Sequence, residues 1–145
     1  MMTRLFEKIL IATDGSEKNQ TAVRKGLELA RESGASTYVL YVIDMTPYPP
    51  SQTDFFPDEV YNALKNEGEK AVEHVKQMAD GMKIETHVLS GRPAHVISEF
   101  AGKNDVDLIV AGYQGKSGLD RLLLGSVSER ILRLADCMVL VVKSK

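Results

Sequence analysis

Lys8-Ile9-Leu10-Ile11-Ala12-Thr13-Asp14-Gly15-Ser16 runs from an unbroken apolar stretch straight into an Asp-Gly turn. A short apolar run closed by such a turn reads as a strand buried on both faces, and strands of that kind belong to parallel sheets covered by helices on each side. The period changes immediately afterwards. Ala22, Val23, Gly26, Leu27 and Ala30 recur at helical spacing, which predicts a helix from Glu17 to Ser33 with Ser16 as its N-cap and Gly34 as its stop. The same alternation continues along the chain. Further strands are expected at Ser36 to Ile43, Lys83 to Leu89, Val106 to Ala111 and Met138 to Val142. A second helix is expected from Asp58 to Ala79, with Val60, Leu64, Ala71, Val75 and Met78 on one side and Gly81 just past its end. A third begins at Pro93 and turns Ile97, Phe100 and Ala101 inward; a fourth begins at Ser126 and carries Val127, Ile131 and Leu134.

Strand and helix in strict alternation give an open, twisted α/β sheet of five parallel strands, Rossmann-like in its three layers. The strand at Lys83 to Leu89 alternates polar and apolar residues, so it should lie at an edge, whereas the first and fourth strands are nearly continuous apolar runs and should be central. The order 3-2-1-4-5 satisfies both. In such a sheet the ligand crevice lies outside the carboxyl ends of the strands where the order reverses. That point is above strands one and four, where Thr13-Asp14-Gly15 and Gly112 to Gly115 emerge.

The bulk numbers narrow the class. A length of 145 residues suits one domain spanning 1–145, and 43% hydrophobic with 26% charged residues is ordinary for a globular protein. The formal net charge of −2 lacks the basic excess of a nucleic-acid binder. Cys137 is the one cysteine, which excludes an internal disulfide and a thiolate metal cluster, and its apolar surroundings suggest a buried thiol. No signal peptide or membrane-length apolar run is visible, so a cytoplasmic protein without a membrane partner is expected. The connection from Met45 to Pro57 holds four of the five prolines together with Tyr48, Phe55 and Phe56. A lid or partner arm and a Pro-stiffened surface loop both fit it.

The most informative segment is Gly112-Tyr113-Gln114-Gly115 followed, nine residues on, by Gly125-Ser126. A chain that leaves a buried strand, loops out and re-enters a helix at Gly-Ser presents unpaired N–H groups and a positive dipole end, the setting for a polyphosphate. Lys116 and Arg121 lie in the intervening loop and bring positive charge. Ser126-Val127-Ser128-Glu129 equally fits a capping box, and spacing alone leaves both readings open. Gly115-Lys116-Ser117 resembles the end of a P-loop, but the glycine that motif requires five positions earlier is Val110, and no G-x-G-x-x-G follows the first strand.

G-x2-G-x9-G-[ST], with Gly112, Gly115, Gly125 and Ser126 in every fixed position, resembles the ATP-binding signature of universal stress proteins. The likeness runs the length of the chain. Ile9 to Ser16, Leu40-Tyr41-Val42-Ile43-Asp44, Gly91-Arg92-Pro93 and Val139 to Lys143 are similar to the family's first strand and turn, second strand, third-helix entry and last strand. The resemblance implies an ATP-binding regulatory protein of the stress response. Thr13 and Asp14 would lie at the nucleotide, with Asp14 near ribose and phosphates and on Mg²⁺, and Val42 would hold adenine through its backbone. Gly112, Gly115, Gly125 and Ser126 would cradle ribose and phosphates, and the N–H groups of Ser126 and Val127 would take the outer phosphates. Without the family, Asp14 before Gly-Ser reads equally as a turn residue.

Catalysis has little support in the sequence. His74, His87 and His95 are scattered over two helices and a strand, without metal-ligand spacing, although His95 falls near the expected crevice. No serine sits in a G-x-S-x-G elbow. For phosphoryl transfer only Asp14, Lys116 and Arg121 stand as contributors, which favours slow or absent hydrolysis and ATP as a controlling ligand. A weak ATPase, a phosphoryl or nucleotidyl transferase on the same fold, and a nucleotide-free dimeric scaffold are the competing readings. Met138 to Val142 is an apolar strand at a sheet edge, and its pairing with a second copy gives the expected homodimer, which the resemblance also implies.

Overall fold

The computed structural model describes residues 4–47, 57–114 and 124–144. Within them the elements run β1 (Lys8–Ala12), α1 (Gln20–Ser33), β2 (Ser36–Asp44), α2 (Asp58–Met78), β3 (Glu85–Gly91), α3 (Pro93–Lys103), β4 (Leu108–Gly112), α4 (Ser126–Leu134) and β5 (Met138–Val142). The five strands form one parallel sheet in the order β3-β2-β1-β4-β5. The expected order 3-2-1-4-5 is therefore the one observed.

Alternate residues of each central strand divide between two cores. Ile9 and Ile11 of β1, Val39 and Tyr41 of β2 and Val110 of β4 pack under α1 and α2 with Val23, Leu27, Val72 and Val75. Leu10, Ala12, Leu40, Ile109 and Ala111 face the other way, against Ala94, Ile97 and Ala101 of α3 and Ile131 of α4. Ile9, Leu10 and Ile11 are each 0% exposed, which accounts for the continuous apolar run of β1. After β3 the chain crosses back over β2 and β1 to place β4 on the far side of β1, so the crevice opens above β1 and β4.

Several expected boundaries move. The first helix starts at Gln20 and not at Glu17, because Ser16 opens a separate turn. The Asn19 N–H donates to the Ser16 carbonyl at 3.2 Å and to Ser16 Oγ at 3.3 Å, and the Gln20 N–H donates to the Glu17 carbonyl at 3.1 Å. Gly34 does end this helix, at φ 64°, in the left-handed region that glycine favours. The third strand lies two residues later than expected, since its pairing with β2 runs from Tyr38 with Glu85 to Asp44 with Gly91. The fourth strand starts at Leu108, and just before it the Asp107 carboxylate accepts from the N–H groups of Glu7 at 2.8 Å and Lys8 at 3.0 Å. Val60 and Leu134, expected inward, are 42% and 41% exposed. On α2 the buried positions are Gly68, Val72 and Val75, so the stripe facing the sheet is set by a glycine that periodicity passes over.

Candidate functional site

The crevice above β1 and β4 is a cavity of about 360 Å³, a volume suited to a small ligand. Its walls come from the carboxyl ends of three strands, from the start of α4 and from residues of α2 and α3. Of the site residues expected from sequence, Thr13, Asp14, Val42, Gly112, Gly125, Ser126 and Val127 all line it. Gly115, Lys116 and Arg121 lie outside the described residues, as does most of the proline-rich connection (48–56). His95 is exposed and does not line the cavity.

Each wall follows from local chemistry. Thr13 extends the pairing of β1 by donating its N–H to the Leu40 carbonyl at 3.0 Å, which holds the next residue at the strand tip. Asp14 Oδ1 then accepts from the N–H of Ser16 at 2.9 Å and from its hydroxyl at 2.6 Å. Asp14 is thus both a turn residue, through Oδ1, and a wall of the cavity. Gly15 between them has φ 75°, a conformation an L side chain rarely adopts. On the β2 side Val42 is partly exposed, with Ile43, Leu40 and Leu64 supplying apolar surface.

The glycine segment is pinned at both ends. The Tyr113 N–H donates to the Val142 carbonyl at 2.9 Å, and the Gly125 N–H donates to the Tyr113 carbonyl at 2.8 Å. The Gly125 amide is therefore occupied by the protein itself and not open to a ligand. Gly125 is the residue preceding α4, in extended conformation at φ −61° and ψ 149°. Ser126 is consequently the first helical residue, one place too late to cap. The capping box does not form; Glu129 pairs instead with Arg133 at 2.6 Å. Among the described residues nothing accepts from the N–H groups of Ser126 and Val127, which sit on the positive end of the α4 dipole and on the cavity wall.

Two residues that sequence reasoning missed complete the wall. Ser128, 5% exposed, donates its hydroxyl to the Gly112 carbonyl and so ties the start of α4 to the end of β4. Asn19 packs over Gly112: a Cβ added to that glycine would stand 3.0 Å from Asn19 Nδ2. Asn19 is 4% exposed, yet its Oδ1 has no hydrogen-bond donor. A buried amide oxygen without a donor costs roughly 1–3 kcal/mol, and among the described residues Asn19 Oδ1 finds none. The only sequence signal for Asn19 was its place just before the apolar stripe of α1; for Ser128 there was none beyond the S-x-x-E pattern.

A second concavity, of about 830 Å³, lies across Gln114 and is bounded by Glu17, Lys18, Arg24, His74 and Lys143. It is larger, but the described residues bring mainly charged and polar side chains to it, and its Tyr113 ring carries Lys143 Nζ 5.0 Å from the ring centroid. The smaller cavity combines an apolar side with unpaired amides. The groups able to hold Mg²⁺ there are few: among the described residues Asp14 Oδ2 makes no hydrogen bond, and no cluster of three or more ligating side chains occurs. One carboxylate is the usual protein share for a magnesium ion that arrives with phosphates and water.

Fold and site together define an α/β protein with a small-ligand crevice at the topological switch point. The family model described as the universal stress protein family matches residues 5–143, and the chain belongs to that family. It is similar to universal stress protein MJ0531 of Methanocaldococcus jannaschii, with 45% identity over 96% of this chain and 83% of the relative. Among solved structures it resembles the protein MJ0577 at 30% identity, covering 99% of both chains with a TM-score of 0.84. A universal stress protein from Archaeoglobus fulgidus in complex with dAMP matches at 25% identity over 96% of this chain and 99% of that one, TM-score 0.68. Another, in complex with cAMP, matches at 26% identity over 97% of this chain and 98% of that one, TM-score 0.66. No described helix is long and apolar enough to cross a membrane.

Proposed function

We propose that this chain binds an adenine nucleotide, ATP with Mg²⁺, in the crevice above β1 and β4 and acts as a ligand-controlled homodimeric switch of the stress response in the cytoplasm. The observation that carries the reading is the pair of unpaired N–H groups, Ser126 and Val127, facing the same cavity as the apolar surface around Val42. Amides at a helix start favour phosphate, and an aliphatic slot favours a base. In this reading adenine would lie at Val42, ribose over Asp14 and Gly112, and phosphates toward Ser126, and Gly115, Lys116 and Arg121 are proposed as further nucleotide contacts. Asp14 Oδ2 is the protein's share of the metal. Adenine nucleotides bound to related proteins of the same fold support the choice of ligand class.

The homodimer in this reading forms through β5. Met138 is 60% exposed on that edge strand, and Leu132 and Leu134 of the neighbouring α4 are 48% and 41% exposed. An uncharged apolar edge of this kind is a template for pairing with a second copy.

The test is calorimetric titration of Mg-ATP into wild type and Gly125→Val. Val at position 125 puts a branched side chain at the mouth of the phosphate end, and loss of at least tenfold in affinity is expected. Equal affinity in both proteins would make the phosphate assignment wrong. Wild type that takes up no adenine nucleotide at all would favour a nucleotide-free scaffold, and multiple-turnover release of phosphate from the wild type alone would favour an enzyme.

A further inference from the structure

We propose that Asn19 reads the ribose of the bound nucleotide, accepting a hydrogen bond from one ribose hydroxyl through Oδ1 and donating to the diol through Nδ2. The inference rests on the nucleotide reading above and adds a specificity residue to it. Asn19 holds the N-cap position of α1, yet its side chain makes no capping bond, and its backbone at φ −75° and ψ −16° is already helical instead of extended. Asparagine before a helix ordinarily spends its oxygen on the second or third amide of that helix. Here the carboxamide is held back from that role, lines the cavity, and stays buried against Gly112 with Oδ1 lacking a donor.

The chemistry of the unpaired oxygen selects the partner. What Oδ1 lacks is a proton donor. Phosphate oxygens only accept at neutral pH, so the phosphate end does not satisfy it. The exocyclic amine of adenine does donate, but the base is assigned to Val42, on β2, whereas Asn19 sits beside Gly112, on β4, with β1 between them. A vicinal diol both donates and accepts, and a carboxamide does the same, so the two groups match. The terminal torsion of asparagine is broad, which lets the carboxamide turn its oxygen toward an incoming hydroxyl at little cost. A carboxylate on the ribose hydroxyls plays the equivalent part in dinucleotide-binding sheets, where it comes from a different position.

The experiment compares ATP, 2′-deoxy-ATP and 3′-deoxy-ATP on wild type, Asn19→Ala and Asn19→Asp by calorimetry, with thermal melts of each protein without nucleotide. Wild type is expected to prefer ATP over at least one deoxy analogue by about tenfold, the worth of one hydrogen bond with a buried partner. In Asn19→Ala the preference falls to within about twofold, chiefly through weaker ATP binding, while Asn19→Asp, which keeps the acceptor, retains it. The melting temperature of Asn19→Ala matches or exceeds that of wild type, since no protein hydrogen bond is lost. Retention of the wild-type preference in Asn19→Ala overturns the inference, as does a wild type that binds all three ligands alike. Absence of any adenine nucleotide binding by wild type overturns the functional reading itself, and this inference with it.

Discussion

Asp14 and Asn19 stand only a few residues apart and illustrate two ways in which a polar residue meets its hydrogen-bonding needs. Asp14 spends one oxygen on the turn it makes with Ser16, while Oδ1 of the Asn19 side chain has no donor among the described residues. Cys137 shows a third situation, a half-buried thiol packed against the α3 and α4 core. Burial pushes its pKa up, and the nearby carboxylates of Asp107 and Asp136 push in the same direction. Both effects act against the anion, so at any given pH less thiolate is present than in a free cysteine, and the thiolate is the reactive form. Alkylation of the native protein by iodoacetamide is therefore expected to be slower at pH 8 than that of a cysteine peptide, with its pH–rate inflection displaced upward. An inflection at or below that of the peptide would contradict the packing described for this residue.

At the scale of elements, the approach of α2 to the sheet depends on Gly68. A Cβ there would stand 2.7 Å from Tyr41 Cδ1 and 2.9 Å from Val88 Cγ1, so the helix rests directly on two strands. Alanine gains about 1 kcal/mol over glycine in helix propensity, but overpacking of a tight contact costs about 1–3 kcal/mol. Tyr41 is also a wall of the crevice and only 5% exposed, which restricts its retreat. Gly68→Ala is expected to destabilise by up to roughly 2 kcal/mol net, lowering the melting temperature by up to about 8 °C in a chain of this size. Calorimetric melting checks this, and a melting temperature at or above that of wild type would show that α2 can lift at no cost. The helical period of the sequence placed α2 correctly but misassigned Val60, which lies in the first turn of the helix and is 42% exposed.

For the whole molecule, the decisive feature is the asymmetry between the two sheet edges. β3 shows the polar Glu85 and Ser90 to solvent beside Leu89, whereas β5 is wholly apolar and partly open. The homodimer proposed through β5 predicts dimers at micromolar concentration in sedimentation velocity and a shift to monomer for Leu140→Lys or Val142→Lys at the sheet edge. Wild-type protein that sediments only as monomer across that range, with or without Mg-ATP, would remove the dimer from the proposed function. Adding the nucleotide also tests the switch, since a ligand shifts association only if it binds the two states with different affinity.

The apolar runs of β1 and β4 and the alternation in β3 were enough to set the strand order, because burial on one or two faces leaves a direct imprint on residue type. The glycine spacing likewise marked the crevice, since few side chains fit where backbone must come close to a ligand. The tertiary structure decided what spacing left open: that Ser126 begins α4 without capping it, that Gly125 gives its amide to Tyr113, and that Ser128 and Asn19 belong to the site. These outcomes depend on which donor meets which acceptor across elements distant in sequence. A local pattern holds no record of that, because the same serine or asparagine satisfies its needs by any partner the fold brings within reach.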